Sequence, residues 1–283
     1  MCVLLPAVNV LSLNLPETKP IVALTALAGL FLWETLAPFF QLSAGLWRLK
    51  HGLKNILLGV INGLVTSFFF VGLWWYTADW ATQHDFGLLH MLPLPPAVEC
   101  VFALLMLDVW TYLWHRMNHR IPFFWRFHRV HHSDAQMDVT TAHRFHVGEI
   151  IFSSFLRIPL IALLGIRLEA LALYEVLMFV VVQFHHANIT VSNKWDRVLR
   201  LFIVTPLMHK VHHSRWQPET DSNFSSLLSV WDRLFRSFRL NPRPESLLLG
   251  LDGFDEVNLQ SFTGMIKTPL GKNITRQPPP IQP

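Results

Sequence analysis

The run AVECVFALLMLDVWTYLWHRMNHRIPFFWRFHRVHH, from Ala97 to His132, decides how the rest of the chain is read. Its first half, Ala97 to Trp114, is apolar apart from Glu99 and Asp108. That stretch approaches the roughly 20 residues a helix needs to cross a bilayer. Helix is required, because an open-edged strand cannot satisfy its backbone in hydrocarbon. The second half hangs His residues on the end of this span. His115 and His119 lie in HRMNH, and His128, His131 and His132 follow in HRVHH. Side chains three or four apart share a helix face, so each string can aim its imidazoles together.

Working outward, three more apolar stretches appear. Ile21 to Leu42 carries only Glu34, and Ile56 to Tyr76 carries no charge. Ile150 to Phe184 is too long for one crossing and is divided by Gly165-Ile166-Arg167, which predicts a helical hairpin. The expected fold is therefore an all-α membrane protein with about four transmembrane segments, the last a hairpin, and a helical cap carrying the His clusters. Composition agrees: 52% of the 283 residues are hydrophobic and 15% charged, where soluble domains carry about a quarter charged. Three regions are expected: an N-terminal segment 1–20, a membrane-embedded catalytic domain 21–240, and a partly disordered C-terminal extension 241–283, polar and Pro-rich from about Thr268. Lys194 to Leu199 and Trp231 to Phe235 read as amphipathic segments at the membrane surface.

Charge orients the chain. Arg48, Lys50 and Lys54 follow the first span, whereas Thr77 to Pro96 holds no Lys or Arg. Positive-inside bias puts the first loop in the cytoplasm. The third span then delivers residue 115 to that side, and the hairpin returns residue 185 to it, so every His cluster is expected to be cytoplasmic. The net charge of +4 reads as juxtamembrane Lys and Arg, not a nucleic-acid surface. The start lacks the basic n-region of a cleaved signal peptide, with Pro6 and Pro16 breaking its apolar run. Cys2 and Cys100, the only two cysteines, suggest neither a disulfide framework nor a thiolate metal site.

Twelve of the 15 His fall in tight groups. To the five above are added His143 and His146 in HRFH, His185 and His186 in FHHAN, and His209, His212 and His213 in HKVHH. Imidazole binds zinc, copper, iron and nickel, and one ion takes about four to six ligands. Eight or nine convergent His exceed one ion and suit two, each group presenting its imidazoles to a common point. His51, His84 and His90 read as surface or internally satisfied. His143, His146 and His185 could serve as ligands, substrate contacts or supports of a ligand. Asp108 lies two turns before His115 on the same face, with Tyr112 between them. A carboxylate in a span is costly, and its expected role is to accept a proton from a ligand imidazole; a helix-end carboxylate reaching water is the alternative. Glu149, three residues after His146, invites the same supporting role.

HRMNH, HRVHH and HKVHHS, with FHHAN between the last two, resemble the fatty acid hydroxylase/sterol desaturase superfamily of integral membrane oxygenases. Arg144-Phe145-His146 with Glu149, Thr205-Pro206 before His209, and Asn223-Phe224 ahead of Trp231-Asp232-Arg233-Leu234-Phe235 extend the likeness over roughly residues 100–240. The resemblance implies two metals on His115, His119, His128, His131, His132, His209, His212 and His213. His186 is the implied ninth ligand, and Asp108, His146, Glu149 and Asn188 are the implied catalytic supports. It implies iron (zinc remaining possible on imidazole ligands), dioxygen as co-substrate, a membrane lipid as substrate and hydroxylation or desaturation as the reaction. A separate electron donor is then needed, a ferredoxin, b-type cytochrome or reductase. Val147 and Phe235-Arg236-Ser237 depart from the family pattern, at positions that concern substrate fit. A zinc-dependent hydrolase needs only three His and an open position, and a non-catalytic descendant would be expected to have lost ligands.

Overall fold

The computed structural model describes residues 15–41, 43 and 45–271, and no strand occurs among them. In chain order the helices are α1 (Leu15–Leu36), α2 (Leu46–Phe69), α3 (Val71–Gln83), α4 (Pro96–Arg120), α5 (Pro122–His132), α6 (Val147–Leu164), α7 (Leu168–His186), α8 (Asn193–Leu199), α9 (Pro206–His212), α10 (Gln217–Thr220), α11 (Val230–Leu234) and α12 (Phe262–Lys267). Short 3-10 turns lie at Val139–His143 and Thr268–Leu270.

Prolines set the helix that matters most. Pro96 opens α4 at its first turn, where a missing N–H costs nothing. The helix runs past Trp114 to Arg120, so HRMNH rides on its last turns. Ile121, forced to extended backbone by Pro122, ends it (φ −98°, ψ 115°). Pro122 then starts α5. One residue of corner thus sets the first two His strings on adjacent helices.

The apolar stretches resolve into α2, α4, α6 and α7 as the four helices long and apolar enough to cross a membrane. The expected first span is shorter than read. Its apolar helix covers Pro20–Leu36 and falls below the length of the other four. Past Leu36 the chain leaves the helix and pairs with the strand-like exit of α7: Phe39 N donates to Asn188 O (2.9 Å) and Thr190 N to Ala37 O (3.0 Å). The second span begins earlier than Ile56, at Leu46, and breaks at Phe70, where α3 takes over. The hairpin falls where expected. Gly165 closes α6 in the left-handed region (φ 69°), and Arg167 precedes α7. Gly87 packs on this turn so closely that a Cβ there would lie 2.3 Å from Gly165 N. Leu88 N and Leu89 N then donate to the carbonyls of Leu163 and Leu164, both at 2.9 Å. These bonds satisfy carbonyls at the helix end that have no partner within α6.

Apolar side chains lie on both sides of these helices. Phe70, Trp74, Leu107, Ile161, Leu171 and Tyr174 form the inner cluster, while Leu64, Phe68, Phe155 and Leu163 face outward, exposed. Such an exterior suits lipid as solvent. On α8 and α11 the pattern is inverted relative to a water-facing helix. Asp196 and Asp232 are buried, and Trp195 and Leu234 point out, as membrane-surface segments require.

The described part of the C-terminal extension packs on the helices. Met265 packs on Leu58 and Val130, and Arg129 donates to the carbonyls of Thr268 and Gly271. Residues 272–283, and the readings placed on residues 1–14, Cys2 included, lie outside the described residues.

Glu34 is buried (2% exposed). It accepts from Arg48 at 2.8 Å and from the backbone N–H groups of Val139 (3.0 Å) and Asn188 (2.9 Å). It therefore ties α1 and α2 to the loop after α5 and to the exit of α7. Replacing Glu34 by Ala removes the carboxylate partner of the partly buried Arg48 guanidinium and leaves two buried backbone donors without an acceptor. It is expected to destabilise the protein by roughly 2–4 kcal/mol, read as a lower thermal midpoint in mild detergent. An unchanged midpoint would show that this anchor contributes no stability.

Candidate metal centre

Two groups of buried imidazoles stand side by side. His115 and His119 from α4, His128 and His132 from α5 and His212 from α9 form one; His131, His186, His209 and His213 form the other. Within each, the ligand atoms lie within 4.8 Å of one another. The stacked rings of His132 and His213, 4.5 Å apart, join the two groups.

The helical spacing divides each His-x-x-His-His string between the groups. On α5 the i and i+4 residues, His128 and His132, enter the first group and His131 turns to the second. On α9 the i and i+4 residues, His209 and His213, enter the second and His212 turns to the first. The expectation that each string aims at one point is corrected here. Neighbours in sequence lie about 100° apart around a helix, so one string feeds two centres.

Hydrogen bonds fix the rings. His115 Nδ1 donates to Phe224 O (2.8 Å) and His212 Nδ1 to Ser222 O (2.6 Å). His186 Nδ1 donates to Val182 O (2.7 Å), and His128 Nδ1 meets Glu149 Oε1 at 2.8 Å. A neutral imidazole has one N–H, so these rings turn lone pairs, not protons, to the interior. There the Nε2 atoms face each other: His115–His128 3.1 Å, His212–His115 3.0 Å and His132–His128 3.2 Å in one group. In the other the spacings are His131–His186 3.1 Å, His209–His186 2.9 Å and His213–His209 3.1 Å. In the pairs whose two rings are both fixed in this way, His115–His128 and His212–His115, opposed lone pairs repel unless a cation lies between them. Nitrogens about 2.1 Å from a shared ion and at right angles would be roughly 3.0 Å apart, so the spacing fits metal binding. Protonation is disfavoured: burial first, then neighbouring imidazoles, hold His131, His132, His209 and His213 far below the ordinary imidazole range. Both groups are able to bind metal.

The supporting residues divide. Glu149 accepts from His128 and also from Asn118 Nδ2 (3.1 Å), the arrangement expected of it. Asp108 meets no imidazole. Its Oδ2 accepts from Trp231 Nε1 (2.6 Å) and Leu228 N (3.1 Å), and its Oδ1 from Tyr174 (3.2 Å). It anchors the segment entering α11, because the face two turns before His115 meets that segment and not the ligands. His146 also stands outside both groups: it caps α6 through Gly148 N (2.9 Å) and meets Ile266 O with Nε2 (3.0 Å). Asn188 clamps Phe40, accepting from its N (2.9 Å) and donating to its O (2.8 Å). His185 packs against His209 with the rings tilted, 3.9 Å between them, and His143 packs on Phe179 at 5.3 Å.

Several contributors had no role assigned from the sequence. The Phe224 and Ser222 carbonyls are backbone. Asp221 Oδ1, 3.4 Å from His119 Nδ1, belongs to no recognisable string. Phe145 stacks on His131 at 4.2 Å. Lys210, held down to about 7 by burial, donates to Ala187 O (2.8 Å) and so ties α9 to the end of α7. His51 meets both oxygens of Asp134 at 2.9 Å. Asp134 stays well below the usual carboxylate range, burial opposing but His51 and Arg144 outweighing it. The aspartate in the Trp-Asp-Arg string has a legible role, since Asp232 accepts from Phe224 N (2.7 Å) and Ser225 N (3.1 Å). It thereby holds the carbonyl that orients His115.

These contacts separate two kinds of carboxylate. Glu149→Gln is expected to weaken metal retention about 10–100-fold, measured by chelator competition. Asp108→Asn is expected to keep wild-type metal content and to lower the thermal midpoint. Metal loss in the aspartate variant matching that of the glutamate variant would refute the division.

The fatty acid hydroxylase family model matches residues 100–237. The chain is 32% identical over 160 residues to ornithine lipid hydroxylase OlsE of Rhizobium tropici, covering 56% of this chain and 47% of that protein. It is 30% identical over 192 residues to alkylglycerol monooxygenase of Homo sapiens, covering 68% and 41%. It is 25% identical over 159 residues to cholesterol 25-hydroxylase of Mus musculus, covering 52% and 49%. Each match thus spans less than half of the relative. No solved structure matches the chain. With His strings, paired imidazole groups and family match on the same residues, the chain belongs, through residues 100–237, to the fatty acid hydroxylase/sterol desaturase superfamily.

Proposed function

We propose that this chain hydroxylates a membrane lipid with dioxygen, at two iron ions held by nine histidines. The observation that carries the reading is the pair of adjacent, buried imidazole groups, five and four strong, gathered where the membrane-crossing α4 and α7 end. His115, His119, His128, His132 and His212 would hold one ion, and His131, His186, His209 and His213 the other. Iron bound there would activate dioxygen and supply an oxidant able to attack an unactivated C–H bond.

The chain's own residues do the rest. Burial excludes water from the centre, which protects a reactive oxidant from side reactions. Glu149, the carbonyls of Phe224, Ser222 and Val182, and Asp232 behind Phe224 hold His128, His115, His212 and His186 in the tautomer that offers Nε2. Asp221 stands ready to do so for His119. The lipid-facing flanks of α2, α4, α6 and α7 allow an apolar substrate to arrive from the bilayer. The relatives' names point to hydroxylation over desaturation and to lipid substrates: an ornithine lipid, an alkylglycerol and cholesterol. Electrons would come from a separate ferredoxin, b-type cytochrome or reductase. The positive charges at Arg48, Lys50 and Lys54, all within α2 near its start, support a cytoplasmic centre.

Detergent-purified protein is expected to contain two irons per chain and to oxidise added lipid with dioxygen and a reductant. His131→Ala and His212→Ala, one from each group, are each expected to lose iron and to lower turnover more than about 100-fold, beyond the effect of lost supporting contacts. Zinc as the sole metal with hydrolytic turnover would replace the oxygenase by a hydrolase. Full activity in either variant would refute the centre.

A further inference from the structure

Buried polar groups are nearly always hydrogen-bonded, and an exception calls for a physical reason. Gln183 on α7 is such an exception. It is fully buried (0% exposed), and neither Nε2 nor Oε1 of its amide has a partner among the described residues. It sits within a membrane-crossing helix, where no bulk water reaches it. Phe179, Gln183 and His186 share one face of α7 by their spacing, and the 3-10 turn Val139–His143 packs against that helix. The ring of His143 lies 5.3 Å from that of Phe179, and His143 Nε2 is likewise buried without a partner. Gly59 on α2 makes room for this turn: a Cβ there would fall 2.8 Å from His143 Nδ1. Three elements thus hold an unsatisfied amide and an unsatisfied ring nitrogen beside an aromatic wall, one helical turn from a member of the four-histidine group.

We infer that Gln183 and His143 form a binding site for a neutral hydroxyl of the lipid substrate. This rests on reading the chain as a lipid-oxidising enzyme. The chemistry selects the class of group. An amide offers a donor and an acceptor, and an imidazole nitrogen offers one more of either. Together they match a hydroxyl, which both donates and accepts. Burial also holds His143 down to about 4, so at neutral pH the site is uncharged and suits an alcohol over a phosphate. Three residues of helix advance about 4.5 Å, so a hydroxyl held at Gln183 brings the neighbouring carbons of the lipid toward the centre. Oxidation is then directed near the hydroxyl-bearing end of the molecule.

The test is a binding titration of the metal-loaded protein without dioxygen, using 1-hexadecanol and its methyl ether, followed by tryptophan fluorescence. Wild type is expected to bind the alcohol about five- to tenfold more tightly than the ether, the worth of roughly one neutral hydrogen bond. Gln183→Met and His143→Phe should each bring that ratio close to one while keeping the metal. Gln183→Met should also melt no lower than wild type, because it removes an amide left without partners in the free protein. Equal affinities in wild type, a preference that persists in both variants, or loss of metal in both would overturn the site. Because the titration is anaerobic, an alcohol preference in a protein that oxidises no lipid would support the site while removing the oxygenase.

Discussion

Nine buried imidazoles turned inward, eight of them with facing Nε2 atoms about 3 Å apart, are the constraint around which this molecule is arranged. Such an array is unfavourable by itself, both from desolvation and from lone-pair repulsion. Other groups fix His115, His128, His186 and His212 from behind. The fixing atoms are mostly backbone carbonyls, at Phe224, Ser222 and Val182. A carbonyl can only accept, so it commits Nδ1 to donating and leaves Nε2 for a metal. The site is thus prepared by the scaffold before any ion arrives.

Carbonyls in irregular backbone must themselves be held, and buried carboxylates do this. Asp232 collects the N–H groups of Phe224 and Ser225. Asp108 collects Leu228 and the Trp231 indole. Glu34 collects Val139 and Asn188. Each lies in or beside an apolar helix, and each has several donors, which is the condition under which burying a carboxylate is tolerable. The three acids that looked out of place in apolar or aromatic strings are thus the joints between the membrane helices and the irregular segments carrying the rings.

Lipid as solvent explains the distribution of the rest. Helices α2, α4, α6 and α7 expose Leu and Phe outward, so the hydrophobic effect sets where they lie and does little to specify how they pack. Specificity falls to close backbone approach and polar pairs. Gly87 rests on the Gly165 turn, Arg157 pairs with Glu175 between α6 and α7, and Arg167 with Glu99 at 2.6 Å. Gln183 stands outside this pattern, its amide buried without a partner among the described residues one turn from the centre.

Much of this was legible in the amino-acid sequence. Helix is the only way for 20 apolar residues to cross lipid, and His at spacings of three and four must share a helix face. These two local rules yield the all-α membrane fold, the hairpin at Gly165 and eight of the nine residues of the paired groups; His186 came from the family resemblance. Local rules fail where a residue's partner is distant in sequence. Asp108 shares a helical stripe with His115, yet its partners come from Leu228 and Trp231, more than a hundred positions on. His146 and Asn188 sit in His-rich strings but cap a helix and clamp a loop. The division of each His-x-x-His-His string between two groups also needed the tertiary structure. Spacing fixes the angle between neighbouring side chains on one helix, and only the packing of α4, α5, α7 and α9 decides what stands at the end of each angle.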